Sequence, residues 1–164
     1  MKKNEKINEK NIRFENLLLF FKPTIDLLSS INVEYMIGGG CIRDYFTSTK
    51  ITDIDIFTPN RYNQLMILNF FLNNGAEIIL NNDKVVKLKY NNITYDIIKL
   101  CFDDPTTLLN SFDFTVCQFC IDNNLCFYYS EESFIDLSKR QLMISNLPYP
   151  ESTMLRVNKY NNKG

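Results

Sequence analysis

The 164 residues carry a formal net charge of −1, with 45 % apolar and 23 % charged side chains, the balance of an ordinary globular domain with its own core. Without a basic excess the chain is not built for a tight, sequence-independent grip on duplex nucleic acid. Histidine is absent, which excludes Ser-His and Cys-His nucleophiles and any histidine metal site, so acid–base and metal work falls to Asp, Glu, Lys, Tyr or Cys.

Residues 1–10 are polar and charged and read as a solvated tail, not as a cleavable leader. From Asn11 to Ser30 the apolar residues Leu17, Leu18, Phe21, Ile25 and Leu28 fall on one helical face. Pro23 marks a kink or a break in that helix. Glu34–Ile37 reads as a short strand, and Gly38, Gly39 and Gly40 open a turn into a helix over Cys41–Phe46. Thr52–Phe57 alternates acid and isoleucine and reads as a strand with its acids on one face. Arg61–Asn73 is an amphipathic helix. Strands follow at 76–80, 84–90 and 93–100, with hairpin turns at Asn81-Asn82-Asp83 and Asn91-Asn92. A short helix over Asp104–Asn110 starts at Asp104 or Pro105. The run Phe114–Asp122 alternates like a strand and pairs with 125–129 across Asn123-Asn124. Ser130 caps a helix to about Lys139, Met143–Ile144 is a last short strand, and Glu151–Asn161 a final helix. The sum is an α+β domain over 11–164, a mixed sheet with helices packed on it.

The five cysteines are odd in number, and Cys117-x-x-Cys120 lacks a second pair at zinc-ribbon spacing. Reduced, buried thiols in a cytoplasmic protein are the expectation, with zinc the minor alternative. The apolar stretch 17–21 is too short to span a bilayer, so no membrane partner is expected.

Chemistry concentrates in Tyr35–Thr58. Glycines let backbone N–H groups approach a phosphate at a helix N-terminus, and Arg43, one turn in, is placed to fork onto the same phosphates. Asp53 and Asp55, two apart on a strand, point to the same side. Two carboxylates held that close raise each other's pKa unless a cation lies between them. Magnesium, a hard ion, is the natural one, in the manner of a two-metal phosphoryl-transfer site. Each feature alone has a plain reading, as a turn and as a solvated strand face; their order along the chain is what points to a site.

Gly39-Gly40-Cys41-Ile42-Arg43-Asp44 resembles the GGxVRD, and Asp53-Ile54-Asp55-Ile56-Phe57-Thr58 the DxDxxT, of the head domain of tRNA CCA-adding enzymes and poly(A) polymerases, in the DNA polymerase β-type nucleotidyltransferase superfamily. The resemblance implies that fold. It implies Gly39, Gly40 and Arg43 as triphosphate contacts and Asp53 and Asp55 as magnesium ligands. Thr58 would secure the turn after the strand, and Asp44 would brace Arg43. The superfamily's third carboxylate maps onto Asp96, as metal ligand and proton acceptor, although Asp96 reads equally as a sheet-edge residue. Phe112-Asp113-Phe114-Thr115 is similar to the family's RRDFT element, but Ser111 and Phe112 replace its two arginines. Asp113 would then have a positioning role. Met154–Tyr160 faintly matches the start of the family's neck helix, with Arg156 as a further triphosphate contact, so that 151–164 would begin a neck.

The implied activity is a magnesium-dependent nucleotidyltransferase. It would use ATP or CTP and release pyrophosphate, with an RNA (tRNA) 3′ hydroxyl as the expected acceptor. Lys84, Lys87, Lys89, Lys139 and Arg140 are the candidate RNA contacts, or simply a solvated strand face and helix end. The alternatives are a toxin-like transferase acting on a protein or small molecule, and a non-catalytic nucleotide- or partner-binding protein on the same fold. Neck, body and tail are missing from these residues, so the chain reads as a free-standing head or a fragment of a longer one.

Overall fold

The computed structural model describes residues 12–161; the expected tail over 1–10 and the helix start at Asn11 lie outside them. Helix α1 (Ile12–Ser29) runs through Pro23 without a break. The ring sits on the exposed side, one turn after Leu19, which is 64 % exposed. The Leu19 carbonyl, which loses the hydrogen bond that proline cannot donate, thus lies on the side open to solvent. Phe14, Leu17, Phe21, Ile25 and Leu28 form the buried stripe.

One seven-stranded sheet organises the chain, in the order β3-β4-β5-β2-β1-β6-β7. The strands are β1 (Met36–Gly38), β2 (Ile54–Phe57), β3 (Glu77–Asn81), β4 (Val85–Tyr90), β5 (Ile93–Ile98), β6 (Phe119–Asp122) and β7 (Phe127–Tyr129). All neighbours are antiparallel except β2 and β5, which run parallel. The remaining helices are α2 (Gly40–Phe46), α3 (Arg61–Asn73), α4 (Pro105–Ser111), α5 (Glu131–Lys139) and α6 (Pro150–Asn161). The mixed α+β architecture is the one expected.

Alternation along the strands splits the sheet into two faces. Ile37, Ile54, Ile56, Tyr95, Ile97, Val86, Leu88, Phe119 and Ile121 point to the main core, with α1, α3's Ile67 and Phe71, and α2's Cys41 and Ile42. The opposite face packs Met36, Phe57 and Cys120 on Leu108 and Leu109 of α4. Next to that smaller cluster the acidic residues of β2 and β5 open into a cleft.

Local signals set several boundaries. Asn60 Oδ1 accepts from Asn63 N at 3.0 Å, Asp104 Oδ1 from Thr107 N at 2.8 Å, and Ser130 Oγ from Ser133 N at 3.1 Å. Each gives a first-turn amide a side-chain acceptor, which Ser133 N shares with Ser130 O. Asn60→Ala is therefore expected to cost about 1 kcal/mol in urea unfolding; an unchanged midpoint would mean that water serves the amide as well.

The expected strand over 114–122 is corrected. Thr115–Cys117 is a 3-10 turn, and only Phe119–Asp122 is strand. Phe114 leaves the sheet to bridge Ile144, while Cys117 N bonds back to Phe114 O. Alternation of apolar residues does not separate a strand from a tight turn buried on all sides. The expected strand at Met143–Ile144 is only this single bridge.

Candidate active site

Strand register builds the site. Gly38 of β1 pairs with Asp55 of β2, Asp55 with Asp96 of β5, and Asp96 with Lys87 of β4. Four neighbouring strands thus place glycine, acid, acid and lysine in one row across the sheet. Asp53, two residues before Asp55, faces the same way, so all three expected carboxylates lie on one side of the sheet. They open into a cleft of about 670 Å³ that also takes in Gly40, Arg43 and Arg156.

Gly38 leaves the row open at the next strand: a Cβ there would lie 2.8 Å from the Phe119 carbonyl oxygen. Gly39 then turns the chain with φ 80° and ψ −141°, a conformation reserved for glycine. Its N–H is taken by Phe119 O at 2.9 Å. Its part in the bend is thus conformational, and Gly40 and Cys41 supply the first-turn amides that precede any intrahelical acceptor.

Arg43 is buried beside this bend. Its Nε and Nη2 donate to Asp44 Oδ1 at 2.9 and 2.5 Å, its Nη1 to Cys117 Sγ at 3.4 Å, and its guanidinium lies 4.2 Å from the centre of the Tyr160 ring. Asp44 thus braces Arg43, as expected. The Tyr160 stack and the Cys117 contact were not legible in the sequence, because α6 and the 3-10 turn reach Arg43 only through long-range packing. Thr58 is buried, and its Oγ1 donates to Asn60 O at 3.3 Å, within the turn that follows β2.

Arg156 holds Asp113 Oδ2 at 2.6 Å while remaining half-exposed to the cleft. Thr153 Oγ1 donates to the same oxygen at 3.1 Å. Asp113 therefore pins α6 to the domain, which is the positioning role expected of it. Ser111 and Phe112 also line the cleft, where two arginines would have added charge.

Lys87 changes the electrostatics most. Its Nζ lies 3.0 Å from Asp53 Oδ2 and 2.8 Å from Asp96 Oδ1. The Lys87 ammonium is the partner that the buried Asp96 Oδ1 has. Burial raises the Asp53 carboxyl, but the hydrogen bond and charge of Lys87 outweigh it and hold that group below its usual range. Burial wins at Asp96, which stays raised despite Lys87. Asp55 is pushed up to about 7 by burial and by the charges of Asp53 and Asp96, against the pull of Lys87 and Lys159. The lysine itself titrates higher than usual: burial pulls it down, and the two aspartates more than reverse this.

A sequence signal for Lys87 did exist. Counting outward from a two-residue turn at Asn91-Asn92 sets Lys87 opposite Asp96, and both asparagines have the positive φ such a turn needs. Lys84 lies over the Tyr149 ring at 4.8 Å, which ties the β3–β4 turn to the segment before α6.

The donor set suits a hard divalent ion: the carboxylates of Asp53, Asp55 and Asp96 line one cleft. Lys87 stands between two of them, and no three Asp, Glu, Cys or His side chains among the described residues form a group that could hold a metal ion. Cys117 and Cys120 are free and belong to different packing clusters. No described helix is long and apolar enough to cross a membrane.

A family model described as Gad2, Gabija anti-defense 2 family protein, matches residues 9–140. Gabija anti-defense 2 of Bacillus phage SPbetaL7 is 26 % identical over 133 residues, which are 79 % of this chain and 33 % of that protein. The chain thus spans about a third of the relative's length. Among solved structures, a CCA-adding enzyme in complex with ATP superposes with a TM-score of 0.66 at 16 % identity, covering 98 % of this chain and 41 % of that one. The Thermotoga maritima CCA-adding enzyme complexed with tRNA gives the same TM-score and coverage at 15 % identity. The Bacillus stearothermophilus enzyme in complex with CTP gives 0.60 at 14 %, over 77 % of this chain and 33 % of that one. The fold is therefore of the polymerase β-like nucleotidyltransferase type.

Proposed function

The chain belongs to the Gabija anti-defense 2 family, and from that premise we propose that it is a nucleotidyltransferase head which counters the Gabija defence by attaching a nucleotide to one of its protein components. The observation that carries this reading is the row of Asp55 and Asp96 across β2 and β5, with Asp53 beside it and the glycine bend adjoining. Nothing in ordinary folding favours three carboxylates on one patch, because they repel and resist burial.

Asp53, Asp55 and Asp96 would hold magnesium, which supplies charge neutralisation for the triphosphate when bound. The amides of Gly40 and Cys41 open α2 toward the phosphates, with Arg43 behind them and Arg156 at the cleft wall. An acceptor hydroxyl is positioned in the cleft for in-line attack on the α-phosphorus. The new O–P bond forms as the bond to pyrophosphate breaks, and the hydroxyl proton passes to the Asp96 carboxylate. A protein acceptor is supported by the near-neutral charge of the chain and by Ser111 and Phe112 in place of the two arginines. The family's description as directed against a defence system points the same way.

The test combines magnesium, each α-labelled NTP in turn, and either the proteins of the Gabija system or total RNA. Label is expected on protein, and Asp53→Ala is expected to remove it. Label on RNA alone would overturn the protein acceptor. Nucleotide binding without transfer to either would favour a non-catalytic binder, a reading that draws on one feature of the cleft: Lys87 already supplies positive charge between two of the acids.

A further inference from the structure

Lys87 stands between two of the carboxylates and has no part in the transfer reaction outlined above. It stands mid-strand in β4, half-buried, with its ammonium within 3.0 Å of one acid and 2.8 Å of another. The other cations around the cleft have their own contacts. Arg43 is bound to Asp44, Arg156 to Asp113, and Lys99 to Asn81 at 2.8 Å, while Lys84 covers Tyr149. Lys159, on α6, adds charge without standing between the acids. Three carboxylates sharing one patch need a cation among them. In this structure that cation is covalently part of the chain.

We propose that Lys87 is a tethered stand-in for the divalent ion. It holds Asp53 and Asp96 together in the metal-free chain and must leave when the ion binds. The proposal rests on reading these acids as the metal-holding set. Two properties follow. The site keeps its shape without metal, so the domain does not depend on the ion for folding. The affinity for the ion is also set below what the carboxylates alone would give, because each binding event must first break two ion pairs. Lys87 is then a positioning residue that sets metal occupancy, its side chain 24 % exposed and so not sealed between the acids.

Lys87→Met separates the two cations. Mn2+ binding is followed by electron paramagnetic resonance on the full chain without nucleotide, and thermal melting is recorded in EDTA and in excess Mn2+. The variant is expected to bind Mn2+ roughly tenfold more tightly than wild type. It is also expected to melt lower in EDTA and to recover in Mn2+, whereas wild type melts well without metal. If Lys87→Met does not fold in EDTA, comparison of Lys87→Met/Asp96→Asn with Asp96→Asn reads the same competition. Equal or weaker Mn2+ binding in the lysine-free protein, with binding still lost in Asp53→Asn, overturns the stand-in and leaves the metal-holding acids intact. If neither wild type nor Lys87→Met binds Mn2+, the metal reading falls and the competition falls with it.

Discussion

Asp55→Asn is expected to stabilise the metal-free fold above neutral pH and, in the same protein, to abolish nucleotidyl transfer. Asp55 has the highest-titrating carboxyl of the row, at about 7 against an ordinary 3.8. The sign follows from linkage. A carboxyl whose folded pKa is raised gives the fold its full stability while it is protonated in both states, and that stability is lost as pH rises from the unfolded value through the folded one. Between about pH 4 and pH 7 wild type should therefore weaken in EDTA, while the asparagine variant should not. Three units would correspond to about 4 kcal/mol if the group were sealed. Part of the Asp55 side chain reaches the cleft, so about 2 kcal/mol at pH 8 is the expectation, shrinking toward pH 5. Transfer should fall roughly a thousandfold, because an amide cannot neutralise a cation beside the phosphates. Urea unfolding at the two pH values checks the first half and label transfer the second. A variant less stable than wild type at pH 8 would mean that the Asp55 charge is already compensated in the fold.

Gly39→Ala should cost about 2–3 kcal/mol and remove activity even where the protein remains folded. The backbone at φ 80° is strained for any side chain, and an added Cβ would lie 3.2 Å from the Phe112 ring and 3.3 Å from Asp55 Oδ2. Phe112 is wedged edge-on against Phe57, with ring centres 5.8 Å apart, so it has little room to yield. The carboxylate is therefore the group pushed. Gly75→Ala supplies the comparison, since Gly75 also has positive φ, 84°, but would meet nothing within 4 Å. That change should cost about 1 kcal/mol and leave transfer intact. Thermal melting with single-turnover label transfer distinguishes them; equal loss of activity in both would mean that Gly39 matters only through stability.

Much of the organisation was readable from local pattern. Helix α3 begins and ends where its apolar period and the Asn60 cap place it, and α4 follows its Asp104–Pro105 start. The acid spacing in β2 put Asp53 and Asp55 on one side, and the glycine run located the bend. Lys87 was read among candidate RNA contacts or as part of a solvated strand face, because its partner emerges only when the register is counted outward from the Asn91-Asn92 turn. The 3-10 turn at Thr115–Cys117 escaped for a similar reason: buried turns and buried strands are equally apolar.

What the sequence determined by itself is whatever depends on neighbours a few residues apart: strand alternation, helix caps, the glycine bend and the paired acids beside it. Tertiary structure decided which of those groups share a surface. Asp55 meets Asp96 only because β2 and β5 pair in parallel after a crossover through α3, β3 and β4, and Arg43 is held beneath Tyr160 only because α6 returns and fastens to Asp113. Those contacts are set by burial and register summed over the whole sheet, and no short stretch of residues carries that information.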